Sequence, residues 1–273
     1  WKSDIQIPNQ ITWEPFFCQE LDWILCDAVR RHMTNDNEGR NGVLIRGVTR
    51  GVEQKDFMTY LKKQRRFKTT QTTLCRSEYP LENATAEDQV ESMSEADMME
   101  TLRIEVLKGA YYLINYQGYA GYNPGENIVN IFAMGAMTTE AIKASEVLLS
   151  KGIYANVIVV TSSDLLCGQQ AHENNYQYLK SELGINSNLY LNSKGELSAN
   201  DLLLVAGNRV PIVSVHDGEP GLLDNLGSVI GTKQEACAVR KHSKCGRPEE
   251  IYHFHHIDAD AVVEAAGKVL SET

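Results

Sequence analysis

The fold is decided by the stretch Asn127-Ile-Val-Asn-Ile-Phe-Ala-Met134, an apolar, β-branched run that is typical of a buried parallel strand. Gly135 ends this strand, and a helical pattern follows with Thr138 as a candidate N-cap. The run Ala155-Asn-Val-Ile-Val-Val-Thr161 has the composition of a second buried strand. Strand, helix and strand in this length predict a right-handed βαβ crossover. The sequence therefore predicts an α/β fold with a Rossmann-like, mostly parallel sheet.

The carboxyl ends of these strands are the expected position of a ligand, near Gly135 and Thr161. A further buried strand, Val210-Pro-Ile-Val-Ser-Val215, ends directly before two polar residues, His216 and Asp217. A histidine beside an acid can act as a base or hold a substrate anion, which makes this pair candidate substrate-binding residues. The alternative is structural: the aspartate caps the following turn and the histidine packs at an interface.

Composition restricts the function classes. The chain has 273 residues and a formal net charge of −10, which argues against binding to nucleic acid or to anionic membranes. No apolar run approaches the roughly 20 residues that a transmembrane helix needs. The six cysteines are scattered and none forms a C-x-x-C pair, which predicts reduced thiols in a cytoplasmic protein. Because the chain starts at Trp1 without a methionine, we expect a piece of a longer protein.

The first hundred residues are predicted to contain two helices, a short strand and a polar segment. An amphipathic helix is predicted from Trp13 to Met33, followed by a short strand at 42–48. Residues 54–66 predict a basic helix, which is either an anion or partner site or a solvated face. Residues 68–100 are polar and acidic, and predict a linker or a surface insertion.

Several catalytic motifs are absent from the sequence. It contains no P-loop, no G-x-G-x-x-G, no G-x-S-x-G and no H-E-x-x-H. The segment from His242 to His256 carries four histidines and one cysteine, residue types that can bind a metal ion, but Cys245 and His242 have no partner pair at zinc-finger spacing. The preferred interpretation is that this aromatic and histidine-rich face packs against a second subunit, and no metal ligand is assigned.

Three segments carry a resemblance to a known family. Residues from Ile11 to Met33 resemble a helix near the end of the pyrimidine-binding domain of the homodimeric pyruvate dehydrogenase first component. Val106-Leu-Lys-Gly-Ala-Tyr-Tyr112 is similar to the entry to that enzyme's third domain. Gly246-Arg247, with the run from Ile251 to Val263, resembles its last helix pair. The order of these segments carries the likeness, and the wider family is the transketolase-like, thiamine diphosphate-dependent enzymes.

The resemblance implies a domain organisation and an activity. It implies a pyrimidine-binding-type tail at 1–50, a linker or insertion at 51–103 and a transketolase C-terminal-like domain at 104–273. The implied activity is oxidative decarboxylation of a 2-oxo acid, pyruvate, with thiamine diphosphate and magnesium in the full-length enzyme. The implied partners are a second copy in a homodimer and a lipoyl-bearing acyltransferase subunit of a multienzyme complex.

The resemblance also implies what this chain does not supply. The family's glycine-aspartate-glycine motif, which binds metal and diphosphate, is absent, and so is the glutamate that activates the cofactor. A segment with an active-site glutamate and histidine is expected just before Trp1. We therefore expect no catalytic residue and no bound cofactor in this chain, and expect it to be inactive by itself.

Two arginines are additional candidate substrate-binding residues by resemblance. The run Leu44-Ile45-Arg46-Gly47 matches the position where transketolases place an arginine for the substrate phosphate, and Arg46 or Arg50 could fill it. Two alternative functions stay open. One is a portion of a transketolase-like ketol transferase, and the other is a purely structural interaction domain.

Overall fold

The structure is a computed structural model, and it describes residues 10–33, 42–48, 52–68, 93–117, 119–123, 125–183, 210–242 and 244–271. The predicted helix at 198–205 and most of the predicted linker at 68–100 lie outside the described residues. No helix within the described ranges is both long and apolar enough to span a bilayer.

The regular elements are numbered in chain order. The strands are β1 (Gln10–Trp13), β2 (Gly42–Ile45), β3 (Ala110–Ile114), β4 (Ile128–Met134), β5 (Tyr154–Val160), β6 (Ile212–Val215) and β7 (Gln234–Cys237). The α-helices are α1 (Cys18–Met33), α2 (Gln54–Lys63), α3 (Glu95–Val106), α4 (Thr138–Ser150), α5 (Ser163–Leu166), α6 (Gln169–Glu173), α7 (Leu226–Ile230), α8 (Pro248–His255) and α9 (Ala259–Ser271). Short 3-10 turns occur at Arg65–Phe67, Gly135–Met137 and Pro220–Leu222, and a π-helical turn at Tyr178–Glu182.

A five-stranded sheet with the order β3-β5-β4-β6-β7 forms the centre of the fold. Strand β3 is antiparallel to β5, and the other neighbours are parallel. Strands β4 and β5 pair over their whole length, and α4 makes the crossover between them. The prediction of an α/β fold with a mostly parallel sheet is therefore confirmed. Strands β3, β4 and β5 are mainly apolar because both faces of the sheet are buried there.

The two faces of the sheet are covered differently. Helices α4 and α9 pack together on one face, and α9 also contacts β6 and β7. The other face is covered by shorter elements, whose buried residues pack against β4, β5 and β6: Leu166, Leu179, Leu222, Leu223 and Leu226. The chain runs from β4 to its neighbour β5 on one side, and from β6 to its neighbour β7 on the other side. The carboxyl ends of β4 and β6 therefore form the position where α/β proteins usually bind ligands.

The start of the first helix differs from the prediction. The sequence predicts a helix from Trp13, but Trp13 ends β1, which pairs in parallel with β2, and α1 begins only at Cys18. Pro15 disfavours a helical conformation at Glu14. The apolar face of α1 is only partly buried: Ile24 is buried, whereas an apolar stripe is exposed along the helix, formed by Leu21, Leu25, Val29 and Met33.

Other differences concern the lengths of elements. The residue pattern predicts one helix at 171–183, but the structure divides this segment into α6 and the π-helical turn. The pattern also predicts a helical turn at 102–108, where the structure has the longer helix α3. Asn175 and Tyr176 have φ of 52° and 56°, a left-handed conformation that ends α6. The edge strand predicted at 237–239 is β7, which ends where that prediction begins.

Two basic side chains in and directly after helix α2 form ion pairs with acidic residues of α3. Lys62 pairs with Glu95 of α3 at 2.5 Å, and Arg66 pairs with Glu105 at the other end of α3. Gln64 is buried and its Nε2 donates to the main-chain oxygens of Tyr112 at 2.7 Å and Leu113 at 2.9 Å. These bonds cover the free edge of β3, which would otherwise expose unpaired peptide groups.

Candidate functional site

The ribbon formed by β1 and β2 lies across the carboxyl edge of the large sheet. The main-chain N–H of Glu14 donates to the oxygen of Thr161, at the end of β5, over 2.8 Å. The N–H of Thr12 donates to Oδ2 of Asp164 in α5 at 2.7 Å. The N–H of Arg46 donates to the oxygen of Trp13 at 2.8 Å, which ties β2 to β1. The edge that was expected to hold a ligand is therefore the place where the ribbon docks.

The side chain of Glu14 occupies the end of the central strand. It is 3% exposed. An ideal Cβ atom built on Gly135 would lie 2.8 Å from Cδ of Glu14 and closer still to Oε1. Gly135 also has φ of +52°, a conformation that L-residues with a side chain rarely adopt. The carboxyl group thus rests directly on the Cα of Gly135, and only glycine leaves room for it.

Glu14, Arg46 and Asp217 form one electrostatic cluster. Burial, with a smaller contribution from the charge of Asp217, raises the pKa of Glu14 to about 8 against the opposing effect of the Arg46 guanidinium. Asp217 is exposed. The surrounding protein still reduces the hydration of its carboxylate and so raises its pKa, whereas a hydrogen bond from its own backbone and the charge of Arg46 act to lower the pKa. The structure therefore brings together two of the predicted site residues, Arg46 and Asp217, around a carboxyl group that sequence reasoning missed.

His216 lies apart from Asp217 although the two are adjacent in sequence. Its side chain is fully buried, and burial, with a smaller effect of the charge of Arg240, lowers its pKa to about 4. Among the described residues, neither imidazole nitrogen has a hydrogen-bond partner. Because one residue is buried and the other exposed, the pair does not form a dyad on a single face, and the imidazole is neutral at neutral pH.

A second buried carboxyl group, Glu20, fixes the start of α1. Its Oε2 accepts from the N–H of Phe16 at 2.6 Å, and its Oε1 accepts from the hydroxyl of Tyr111 in β3 at 2.5 Å. Burial raises the pKa of Glu20 to about 7, and these hydrogen bonds partly offset that effect. The arrangement connects α1 to the sheet and has a structural role.

The remaining candidates give no metal centre. Arg50 lies outside the described residues. In the part of the chain that the structure describes, no group of three histidine, cysteine or acidic residues could hold a metal ion. His253 instead pairs its Nδ1 with Oδ2 of Asp258 at 2.8 Å, and His255 is buried in α8.

Comparison with known proteins identifies a fold. No family model matches the sequence, and no curated protein matches it significantly. The structure is similar to a substituted transketolase from Pichia stipitis in complex with fructose 6-phosphate, with a TM-score of 0.51 and 16% identity over 99% of this chain and 26% of that chain. It is also similar to the transketolase from Leishmania mexicana, with a TM-score of 0.50 and 12% identity over 99% of this chain and 27% of that one.

A split-gene transketolase, solved as an inactive β4 tetramer, gives a TM-score of 0.50 and 16% identity over 98% of this chain and 60% of that chain. The chain thus spans about a quarter of the length of the Pichia and Leishmania transketolases that it resembles. At these identities the likeness concerns the fold. The structural neighbours are transketolases, and the five-stranded, mostly parallel α/β architecture of this chain is one that transketolases share.

Proposed function

We propose that this chain is the C-terminal portion of a thiamine diphosphate-dependent 2-oxo acid dehydrogenase, in the component that decarboxylates pyruvate. The observation that carries the proposal is the transketolase-like fold over nearly the whole chain. The sequence resemblance supports it, because its three segments map onto β1 with α1, the junction of α3 and β3, and the pair α8 and α9.

The proposed role of this portion is structural. We assign residues 1–50 to the tail of a pyrimidine-binding-type domain, 51–103 to a linker or insertion and 104–273 to the C-terminal-like domain. We propose a cytoplasmic homodimer that passes its acyl group to a lipoyl-bearing acyltransferase subunit. The apolar stripe on α1 supports self-association, because Leu25, Val29 and Met33 are 47%, 56% and 80% exposed along one helix face.

The described residues of this chain do not provide the ligands that magnesium and thiamine diphosphate need. Magnesium in such sites is held by carboxylates together with phosphate oxygens. The described residues offer no cluster of ligands for a metal ion, and the metal–diphosphate motif is absent from the sequence. We therefore assign thiamine diphosphate and magnesium to other parts of the full-length enzyme and derive no reaction step through them here.

We expect this chain by itself to show no magnesium-dependent binding of thiamine diphosphate. The physical reason is the lack of a carboxylate set that could bridge the metal to the diphosphate. Isothermal calorimetry of the chain with thiamine diphosphate, with and without MgCl₂, measures this directly, and the longer protein that carries the chain is the positive control. Sub-micromolar, magnesium-dependent binding to the isolated chain would overturn the assignment.

Four residues are proposed as contributors to substrate binding: Arg46, Arg50, His216 and Asp217. Arg46 and Asp217 are supported by their place in the cluster at the carboxyl edge of the sheet. His216 is fully buried, so the residues that pack over it would have to move before it could contact a substrate.

A second candidate is a portion of a transketolase-like ketol transferase. One observation favours it specifically: the similar solved structures are transketolases, one of them with a sugar phosphate bound. Arg46, at the end of β2, would then be the residue that holds the phosphate of the substrate.

A further inference from the structure

The ligand edge of the sheet is occupied by the chain itself. Parallel α/β sheets bind ligands outside the carboxyl ends of their strands, where the crossovers diverge. Here that position, at the ends of β4 and β6, holds the side chain of Glu14. Among the described residues, two main-chain donors of the ribbon reach the large sheet and the helix after β5: the N–H of Glu14 donates to the oxygen of Thr161, and the N–H of Thr12 donates to the side chain of Asp164 in α5.

We propose that Glu14 is a proton-dependent latch: its protonated carboxyl group holds the ribbon against Gly135, and its ionisation releases the carboxyl group from that edge. This proposal concerns the contact between the ribbon and the sheet. It does not depend on the proposed enzyme activity, and it applies to the chain whichever substrate the longer protein uses.

The geometry makes the protonated form the one that suits this position. The carboxyl group is 3% exposed and rests on the Cα of Gly135, where water cannot surround it. Its Oε2 has no hydrogen-bond partner among the described residues. An ionised carboxylate would hold its charge with little hydration and with no direct donor at Oε2, which is unfavourable.

The charged groups on the neighbouring elements act in both directions. Arg46 of β2 favours the ionised form, whereas Asp217, after β6, disfavours it. The amino end of the turn and helix at Gly135 also favours a negative charge. The other acids nearby already have partners: Asp164 of α5 accepts from Thr12, and Glu140 of α4 pairs with Lys143 at 2.8 Å.

The direction of the pH effect follows from linkage. Burial raises the pKa of Glu14 from 4.5 to about 8 in the docked state. A released, solvated glutamate has a pKa near 4.3, so the docked state binds more protons between about pH 4.5 and pH 8. Docking is therefore strongest below that range, weakens as pH rises through it, and changes no further above about pH 8.

The test follows the carboxyl carbon of Glu14 by NMR in chain labelled with ¹³C at its glutamate side chains. The signal is assigned by its loss in Glu14→Gln. Trp13, which is 2% exposed and next to the latch, reports release through fluorescence and its quenching by acrylamide when Trp1 and Trp23 are replaced by phenylalanine. Because release is coupled to ionisation, both signals are expected to change together with one midpoint between about pH 6 and pH 8, below the pKa of the docked carboxyl group. Glu14→Gln should abolish the fluorescence change.

Two substitutions distinguish the latch from a passive buried acid. Asp217→Asn removes a neighbouring negative charge and should lower the midpoint by several tenths of a pH unit or more. Arg46→Gln removes the opposing positive charge and should raise it. A midpoint below pH 6, a fluorescence change that persists in Glu14→Gln, or a midpoint that Asp217→Asn leaves in place would each overturn the proposal.

Discussion

Replacing Gly135 with alanine should destabilise the chain by about 3 kcal/mol or more, one of the largest losses expected from so small a change. Two costs add. The φ of +52° is unfavourable for alanine, and the new methyl group would overlap the buried carboxyl group of Glu14. Chemical denaturation of the purified chain measures the free energy of unfolding for both forms.

Gly152 provides a matched control for the backbone cost. Its φ of +76° is also left-handed, but nothing lies within 4 Å of a Cβ atom built there. Gly152→Ala should therefore cost only about 1 kcal/mol. In a Glu14→Ala background, Gly135→Ala should fall to the same value, because the overlap is gone. Equal losses at the two glycines in the native background would show that Glu14 does not rest on Gly135.

Phe57→Ala should cost about 3–5 kcal/mol, the usual range for a large aromatic side chain deleted from a core. Phe57 of α2 is fully buried, stacks on Phe17 with ring centroids 3.9 Å apart, and meets the edge of Tyr111 in β3 at 6.2 Å. It thus connects the segment before α1, the helix α2 and the large sheet within one hydrophobic cluster.

This substitution also tests how far the N-terminal segments fold together with the sheet. We expect a single unfolding transition in urea, shifted by Phe57→Ala, because the aromatic contacts join both parts. Leu25→Ala is the control, since Leu25 is 47% exposed and its loss should change stability by about 0.5 kcal/mol or less. A separate early transition of the N-terminal segments, unaffected by Phe57→Ala, would contradict this picture.

The sequence predicts the central crossover well because the signal there is local. The residues of β4 and β5 are apolar on both faces, and the helix between them has a regular period, so composition and period agree with the final structure. The start of α1 is predicted poorly for the opposite reason. The burial of Trp13 and the bond from the Phe16 N–H to Glu20 are tertiary effects that override the helical pattern.

In the candidate site, too, the features with a local sequence signal could be predicted and those set by tertiary contacts could not. The position of the ligand edge at Gly135 and Thr161 follows from the strand pattern, and Arg46 and Asp217 do meet there. Glu14 could not be placed from the sequence, because Gly135 is distant along the chain. The sequence feature that could have indicated a buried acid is the position of Glu14 within the aromatic run Trp13-Glu-Pro-Phe-Phe17. Acidic residues are rarely fully buried unless they have a partner.

The most direct measurement of the proposed function uses the longer protein that carries this chain, supplied with thiamine diphosphate and magnesium. Oxidation of pyruvate by an artificial electron acceptor is measured beside ketol transfer from a ketose phosphate to an aldose phosphate. We predict pyruvate-dependent reduction of the acceptor and negligible ketol transfer. Ketol transfer without pyruvate oxidation would contradict the proposal and support the transketolase alternative.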